Sequence, residues 1–355
     1  MTSIEVEGYT SIRSARVELG RLNVLIGANG AGKSNFTRVF ELLGRLVESD
    51  LGYFVGLNGG ASALLNAGGD RLRIAIEAAP GEYEIELVPA SEDRLITERE
   101  VLTPATSRPF EFSRGEREAI LPGAPGVLPR GDEMVGLLRG CRVYHFHGTS
   151  QNAPVKQLVP TADNLSLRND AGNLAAVLLA LSDSDDRADQ AAYRRIVGVT
   201  RQVAPFFRDF VLRPEKNDRL RLRWRQNGSD AVFSADQMSD GTLRFTCLAT
   251  LLLHPELPAL VVLDEPELGL HPHAVVQLAG LLRQASARGQ VLVATQSVTL
   301  VNQFDLDDLI VVERVDGGST FTRPDRERLG RWLEEYSLGE LWEKNLIGGR
   351  PGGRT

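Results

Sequence analysis

The sequence predicts an α/β fold: helices packed on a buried sheet, with an antiparallel β part beside it. Three observations predict it. A glycine-rich run, Gly27-Ala28-Asn29-Gly30-Ala31-Gly32-Lys33-Ser34, stands between an apolar stretch at residues 22–26 and a helical-period stretch at residues 35–47. Residues 258–263 and 291–294 are apolar throughout, as strands buried on both faces of a parallel sheet are. Residues 71–88 alternate instead: Leu72, Ile74 and Ile76, a Pro80-Gly81 turn, then Tyr83, Ile85 and Leu87, the pattern of an antiparallel hairpin.

Taken in order, residues 4–8 and 15–19 read as short strands. Phe36, Val39, Phe40, Leu43 and Val47 form the apolar stripe of the first helix. Residues 52–69 read as a Gly/Ala-rich connection, and residues 103–132, rich in Pro, Gly and Arg, as an exposed loop. Residues 141–146 read as a strand, 174–181 and 188–203 as helices, and 219–225 as one alternating strand. Helices are expected at residues 243–253 and 275–287 and a further strand at 309–312. The chain closes with a helix at residues 326–335 and one opened by Ser337-Leu338-Gly339-Glu340, a capping-box pattern. The tail from residue 348 is expected to fray.

Composition bounds the function. The 355 residues are 42% hydrophobic and 25% charged, with net charge −7, which suits a globular protein with a real core and no general attraction for nucleic acid. Two cysteines do not suggest a disulfide framework. The N-terminal residues lack a signal pattern, and no apolar run approaches the ~20 residues that cross a bilayer. These readings predict a cytoplasmic protein with no membrane segment of its own.

The glycine-rich run carries phosphate chemistry. Strand, glycine loop and helix in that order let successive backbone N–H groups curl around phosphate oxygens. Asn29, Gly30, Ala31, Gly32, Lys33, Ser34 and Asn35 are the candidate nucleotide-binding residues, at a helix N-terminus that favours anions. Lys33 would reach the terminal phosphates, and the Ser34 hydroxyl would hold Mg²⁺. The second constellation is Leu260-Val261-Val262-Leu263-Asp264-Glu265-Pro266-Glu267, acids where an apolar strand ends. Asp264 suits a metal ion and Glu265 an attacking water. A regular strand would send the two to opposite faces, and Pro266 ends the regular pairing.

These motifs, with two more, resemble the ABC-type ATPase heads of the SMC, RecF and OLD group. Ser239-Asp240-Gly241-Thr242 stands where that group has its signature loop. Glu267-Leu268-Gly269-Leu270-His271-Pro272 is similar to its D-loop, and Ala294-Thr295-Gln296-Ser297 to its switch. The likeness is greatest to stand-alone bacterial ATPases of the group, whose ends read much like Ser337-Leu338-Gly339-Glu340-Leu341-Trp342-Glu343-Lys344. It implies a single P-loop ATPase domain, residues 1–160 and 206–355 forming the nucleotide-binding lobe and 161–205 a helical insert. It implies ATP and Mg²⁺ as cofactors, Lys33, Glu265 and Gln296 as catalytic residues, and Ser239, Asp240 and Gly241 as contacts to ATP on a second subunit. It further implies head-to-head dimerisation on ATP binding, or pseudo-dimerisation with a related head. DNA maintenance or anti-phage defence with a separate effector is the implied setting.

Three departures qualify the resemblance. Glutamine stands at the switch where histidine is usual, so Gln296 can orient a water but not titrate. That keeps a second reading open, a low-turnover ATP sensor or scaffold for a partner. There are no heptads for a coiled coil. Fewer than 60 residues follow Gln296, and they carry no acidic metal cluster, so a nuclease would be a separate chain. Gln151, after the strand at 141–146, is a further candidate metal contact by analogy with the Q-loop. Arg219, Arg221, Arg223 and Arg225 offer a basic stripe for DNA, against a solvated face neutralised by acids such as Glu215. Cys141, His145 and His147 share strand parity but lack a fourth zinc ligand nearby.

Overall fold

A computed structural model describes every residue except 106, 113–114, 124–125, 127, 147 and 350–355. Along the chain, β1 (Ser3–Tyr9) and β2 (Ile12–Glu18) form a hairpin, β3 (Leu22–Ile26) leads into α1 (Lys33–Val47), and α2 (Leu51–Leu57) and α3 (Ala61–Leu64) follow. Next come β4 (Leu72–Ala78), β5 (Gly81–Ala90), β6 (Arg94–Pro104), β7 (Phe110–Glu111), α4 (Gly131–Arg139) and β8 (Cys141–Tyr144). The middle holds β9 (Val159–Pro160), α5 (Leu174–Asp183), α6 (Arg187–Val203), β10 (Phe207–Phe210), β11 (Arg219–Leu220), β12 (Arg223–Gln226) and β13 (Val232–Ser234). Then come α7 (Asp240–Leu253), β14 (Leu260–Asp264), α8 (Pro272–Ser286), β15 (Gln290–Thr295) and α9 (Val298–Val301). The last elements are β16 (Leu309–Val315), β17 (Gly318–Thr322), α10 (Arg326–Leu329), α11 (Trp332–Glu335) and α12 (Leu338–Glu343).

The chain divides into two compact units: Met1–Val143, Ala259–Val262 and Leu292 onward form one, Tyr144–Pro258 and Leu263–Val291 the other. The first unit is built on a sheet of order β17-β16-β3-β15-β14-β8 and an antiparallel sheet of order β2-β1-β4-β5-β6-β7. β3 and β16 are parallel, with Leu25 opposite Ile310. Every residue of β3 is buried, the polar Asn23 included, whose side-chain amide accepts from Gly20 N (2.9 Å) and donates to Gly20 O (2.9 Å). α1 turns Phe36, Val39, Phe40 and Leu43 into one cluster with Leu25, Ile310 and Val312 and with Ile4, Ile74 and Ile85 of the antiparallel sheet. Each such side chain contributes about 1.5–3 kcal/mol by leaving water. Phe36 meets Phe40 edge-on at 5.4 Å and Phe321 at 4.7 Å.

In the second unit α5 to α8 pack on one another. α7 is buried along most of its length, and its inward hydroxyls are satisfied locally: Thr246 donates to Thr242 O (2.9 Å) and Thr250 to Thr246 O (2.8 Å). Two small sheets, β10-β12-β13 and β11-β9, complete it.

Several elements differ from expectation. Residues 52–69 hold α2 and α3 rather than a plain connection. α3 is fixed from outside its own sequence: the Asp93 carboxylate accepts from Ser62 N (2.8 Å) and Ser62 Oγ (2.9 Å). β6 has no counterpart in the sequence reading, and the expected loop at 103–132 contains β7, the buried Leu121 and the start of α4. Glu100, fully buried on β6, organises that loop by accepting from Tyr83 Oη (2.8 Å), Ile120 N (2.6 Å) and Leu121 N (3.2 Å). The helix expected at 326–335 breaks into α10 and α11 at Gly330, whose φ is +43°. The capping box before α12 forms as read, with Ser337 N donating to Glu340 Oε2 (2.9 Å). Gly349, within the tail expected to fray, donates its N–H to Glu313 Oε1 (2.8 Å), and residues 350–355 lie outside the described residues.

Candidate functional site

The glycine-rich loop leaves β3 at Gly27 and ends at Gly32, which caps α1. Gly32 has φ +114°, and a Cβ there would overlap Ser319 Oγ, so only glycine fits. Lys33 is 5% exposed. Its Nζ donates to Gly27 O (2.7 Å) and Ala28 O (3.1 Å), which folds the ammonium back over the loop. Ser34 and the loop tip, Asn29 and Gly30, are exposed. The first turn of α1 has backbone N–H groups with no partner inside the helix, by position, and the dipole of a 15-residue helix behind them. Asn35 is anchored through Nδ2 to Ser11 Oγ (2.7 Å).

Gln296 follows β15, the neighbour of β3 in the sheet. It is flanked by two ordered hydroxyls. Thr295 Oγ1 accepts from Ser297 N (3.0 Å), and Ser297 Oγ accepts from Leu300 N (3.2 Å) as the cap of α9. The backbone on both sides of Gln296 is therefore fixed.

In the second unit, Asp264 ends β14 and Glu265 turns out of the strand with φ +45°, a left-handed conformation unusual for glutamate. This left-handed step is where the strand's alternation stops between the two acids. Leu268 N donates to Glu265 O (3.1 Å) and Leu270 N to Glu267 O (2.9 Å), so the chain beyond is a tight double turn. α7 begins at Asp240 rather than at 243, with Ser239 as its cap. Ser239 Oγ accepts from Thr242 N (3.3 Å) and meets Thr242 Oγ1 at 2.8 Å. Gly241 lies in the first turn, where a Cβ would come within 2.8 Å of Gly269 O. Arg244, one turn on, donates from Nη1 to Leu268 O (2.7 Å). The start of α7 and the turn at 267–270 are thus held together within this unit. The sequence reading missed Arg244, although its place three residues after Gly241 was a signal.

Other candidates are placed differently. Gln151 sits in an exposed turn, its carbonyl accepting from Gln157 Nε2 (3.3 Å). The strand expected at 219–225 is two, β11 and β12, in different sheets. Leu220, Leu222 and Trp224 are buried, so the alternation is real, but the backbone changes partner at Arg221-Leu222. Arg223 and Arg221 both pair with Glu215, the latter at 3.7 Å, and Arg219 donates to Leu158 O (3.0 Å). Cys141 is buried and donates to Leu137 O (3.4 Å), and burial pushes its thiol up to about 12. His145 is exposed beyond the end of β8, and His147 lies outside the described residues.

A triphosphate fits the loop: inward lysine, exposed serine hydroxyl, helix N-terminus and a glycine cradle that a Cβ would fill. The candidate metal donors, the Ser34 hydroxyl and Asp264 carboxylate, are oxygens, the set that Mg²⁺ prefers.

A protein-family model described as "AAA domain, putative AbiEii toxin, Type IV TA system" matches residues 22–134 and 142–302. No curated protein matches the chain by sequence. Among solved structures it is similar to an Smc head bound to the C-winged helix domain of ScpA, with 15% identity and a TM-score of 0.59 over 96% of this chain and 99% of that one. It is also similar to an Smc head with an extended coiled coil bound to the C-terminal domain of ScpA, derived from Pyrococcus furiosus: 15% identity, TM-score 0.55, 94% and 98% covered. An Smc head with a coiled coil and joint, derived from Pyrococcus yayanosii, matches at 13% identity and TM-score 0.53 over 94% and 99%. At these identities the likeness is one of fold.

Proposed function

The chain belongs to the AAA-domain family described above and is an ATPase with the fold of an SMC-type head, and on that premise we propose that ATP binding drives its head-to-head dimerisation. In this reading residues 29–35 hold the triphosphate, with Lys33 on the terminal phosphates. Ser34 and Asp264 hold Mg²⁺, which would neutralise phosphate charge, and Gln151 approaches it. Glu265 takes a proton from the attacking water and Gln296 orients that water. Ser239, Asp240 and Gly241 face the γ-phosphate bound to a second copy.

The observation that supports this most directly is the pair of helix starts, α1 behind the glycine loop and α7 capped by Ser239. Two opposed helix N-termini on one triphosphate would join two subunits, and hydrolysis would release them. The proposal extends to a cytoplasmic role in DNA maintenance or anti-phage defence with a separate effector protein, such as a nuclease. The Smc heads bound to ScpA illustrate that this fold serves partner proteins.

The test compares wild type with Glu265→Gln, by steady-state ATPase rate and by light scattering with and without Mg·ATP. Hydrolysis should fall about a hundredfold or more while the ATP-dependent dimer persists. Equal, negligible rates in both proteins would favour the second reading, a low-turnover ATP sensor regulating a partner. Gln296 supports that alternative, because an amide cannot exchange a proton with the reaction.

A further inference from the structure

We propose that Ser319 and Ser11, which lie outside every motif, are positioning residues that aim the nucleotide loop. The Ser319 hydroxyl is 2.6 Å from Ala31 O and 2.7 Å from Ser11 Oγ, and Asn35 Nδ2 is 2.7 Å from Ser11 Oγ. Both serines are buried, Ser319 at 3% exposure and Ser11 at 8%. Their backbones are tied as well: Ser319 N donates to Ser11 O (2.8 Å).

The proton positions follow from the ends of the chain. Ala31 O can only accept and Asn35 Nδ2 can only donate. Ser319 must therefore donate to Ala31 O and accept from Ser11, and Ser11 must accept from Asn35. Every link points one way, from the first turn of α1 to the loop carbonyl, and buried chains of this kind polarise one another.

The consequence lies in the peptide between Ala31 and Gly32. It is planar and trans, so its C=O and N–H point in opposite directions. With the carbonyl pinned to Ser319, the Gly32 N–H is aimed away from β17 and into the loop, where a phosphate oxygen would sit. Asn35 is held by the same chain, which fixes the first turn of α1 against the loop. The close fit at Gly32, which leaves no room for a Cβ, arises from the same Ser319 hydroxyl.

The test titrates the full-length protein with Mg·AMP-PNP by calorimetry and measures KM and kcat for ATP. Ser319→Ala should weaken analogue binding and raise KM about five- to tenfold, with kcat at saturation within twofold. Ser11→Ala should do the same, and the double variant should bind no more weakly than the worse single one. Ser319→Ala binding within twofold of wild type, or losses that multiply in the double variant, would overturn the proposal. Should Ser319→Ala not fold, Ser11→Ala decides by the same criteria. A wild-type protein that fails to bind AMP-PNP would instead overturn the nucleotide reading itself.

Discussion

Lys33 has two roles to reconcile. Its ammonium is bonded to Gly27 O and Ala28 O, and the same group is the one we propose meets a terminal phosphate. Lys33→Ala should abolish measurable ATP hydrolysis and ATP-induced dimers; dimers persisting at unchanged ATP dependence would contradict the assignment. The glycines differ in what they tolerate. Gly30, with φ +76°, has nothing within 4 Å of an added Cβ, so Gly30→Ala should cost only the conformational penalty, about 1–2 kcal/mol. Gly32→Ala adds overlap with Ser319 and should melt several degrees lower than Gly30→Ala in parallel thermal scans. Glu265 stores strain of the kind found at functional sites. Glu265→Gly should therefore be more stable than Glu265→Ala by about 1 kcal/mol in denaturant titrations, although both lose hydrolysis.

At the scale of elements, the antiparallel sheet carries a titration of its own. Burial is the largest influence on Glu100 and raises its pKa above the ordinary 4.5, against the three hydrogen bonds that lower it. The folded protein thus binds this proton more tightly than the unfolded chain. The resulting stabilisation is full below pH 4.5 and is lost as pH rises through the folded value. Glu100→Gln should remove that decline, so melting curves of variant and wild type taken from pH 4.5 upward should change their separation; a constant separation would refute the effect. The same residue explains why β6 was illegible. Glu98, Arg99 and Glu100 read as a polar surface, and nothing local marks Glu100 as the buried acceptor for a distant loop. α1 and the β4–β5 hairpin were legible because their period is written in contiguous residues. The arginine segment was half legible. Its alternation survives, but Glu215 takes two of the arginines. Arg221→Glu with Arg223→Glu should accordingly leave duplex DNA affinity and its salt slope unchanged in fluorescence anisotropy.

For the molecule as a whole, the chain matches the family model over residues 22–134 and 142–302 and shares its fold with the Smc heads across nearly its full length, and no helix among the described residues is long and apolar enough to cross a membrane. The sequence by itself determined the strand–loop–helix, the acids ending β14, the Ser337–Glu340 capping box and the α/β class. Each is a run of neighbours whose chemistry is complete within a few residues. Only the tertiary structure decided which hydroxyl meets Ala31 O, a partner 288 residues away, and that Arg244 clasps Leu268 O. It alone gave Glu265 its left-handed turn and Glu100 its buried donors. Periodicity fixes which face of an element is buried. It does not fix which two faces meet, and hydrogen bonds and close approaches exist only where they do.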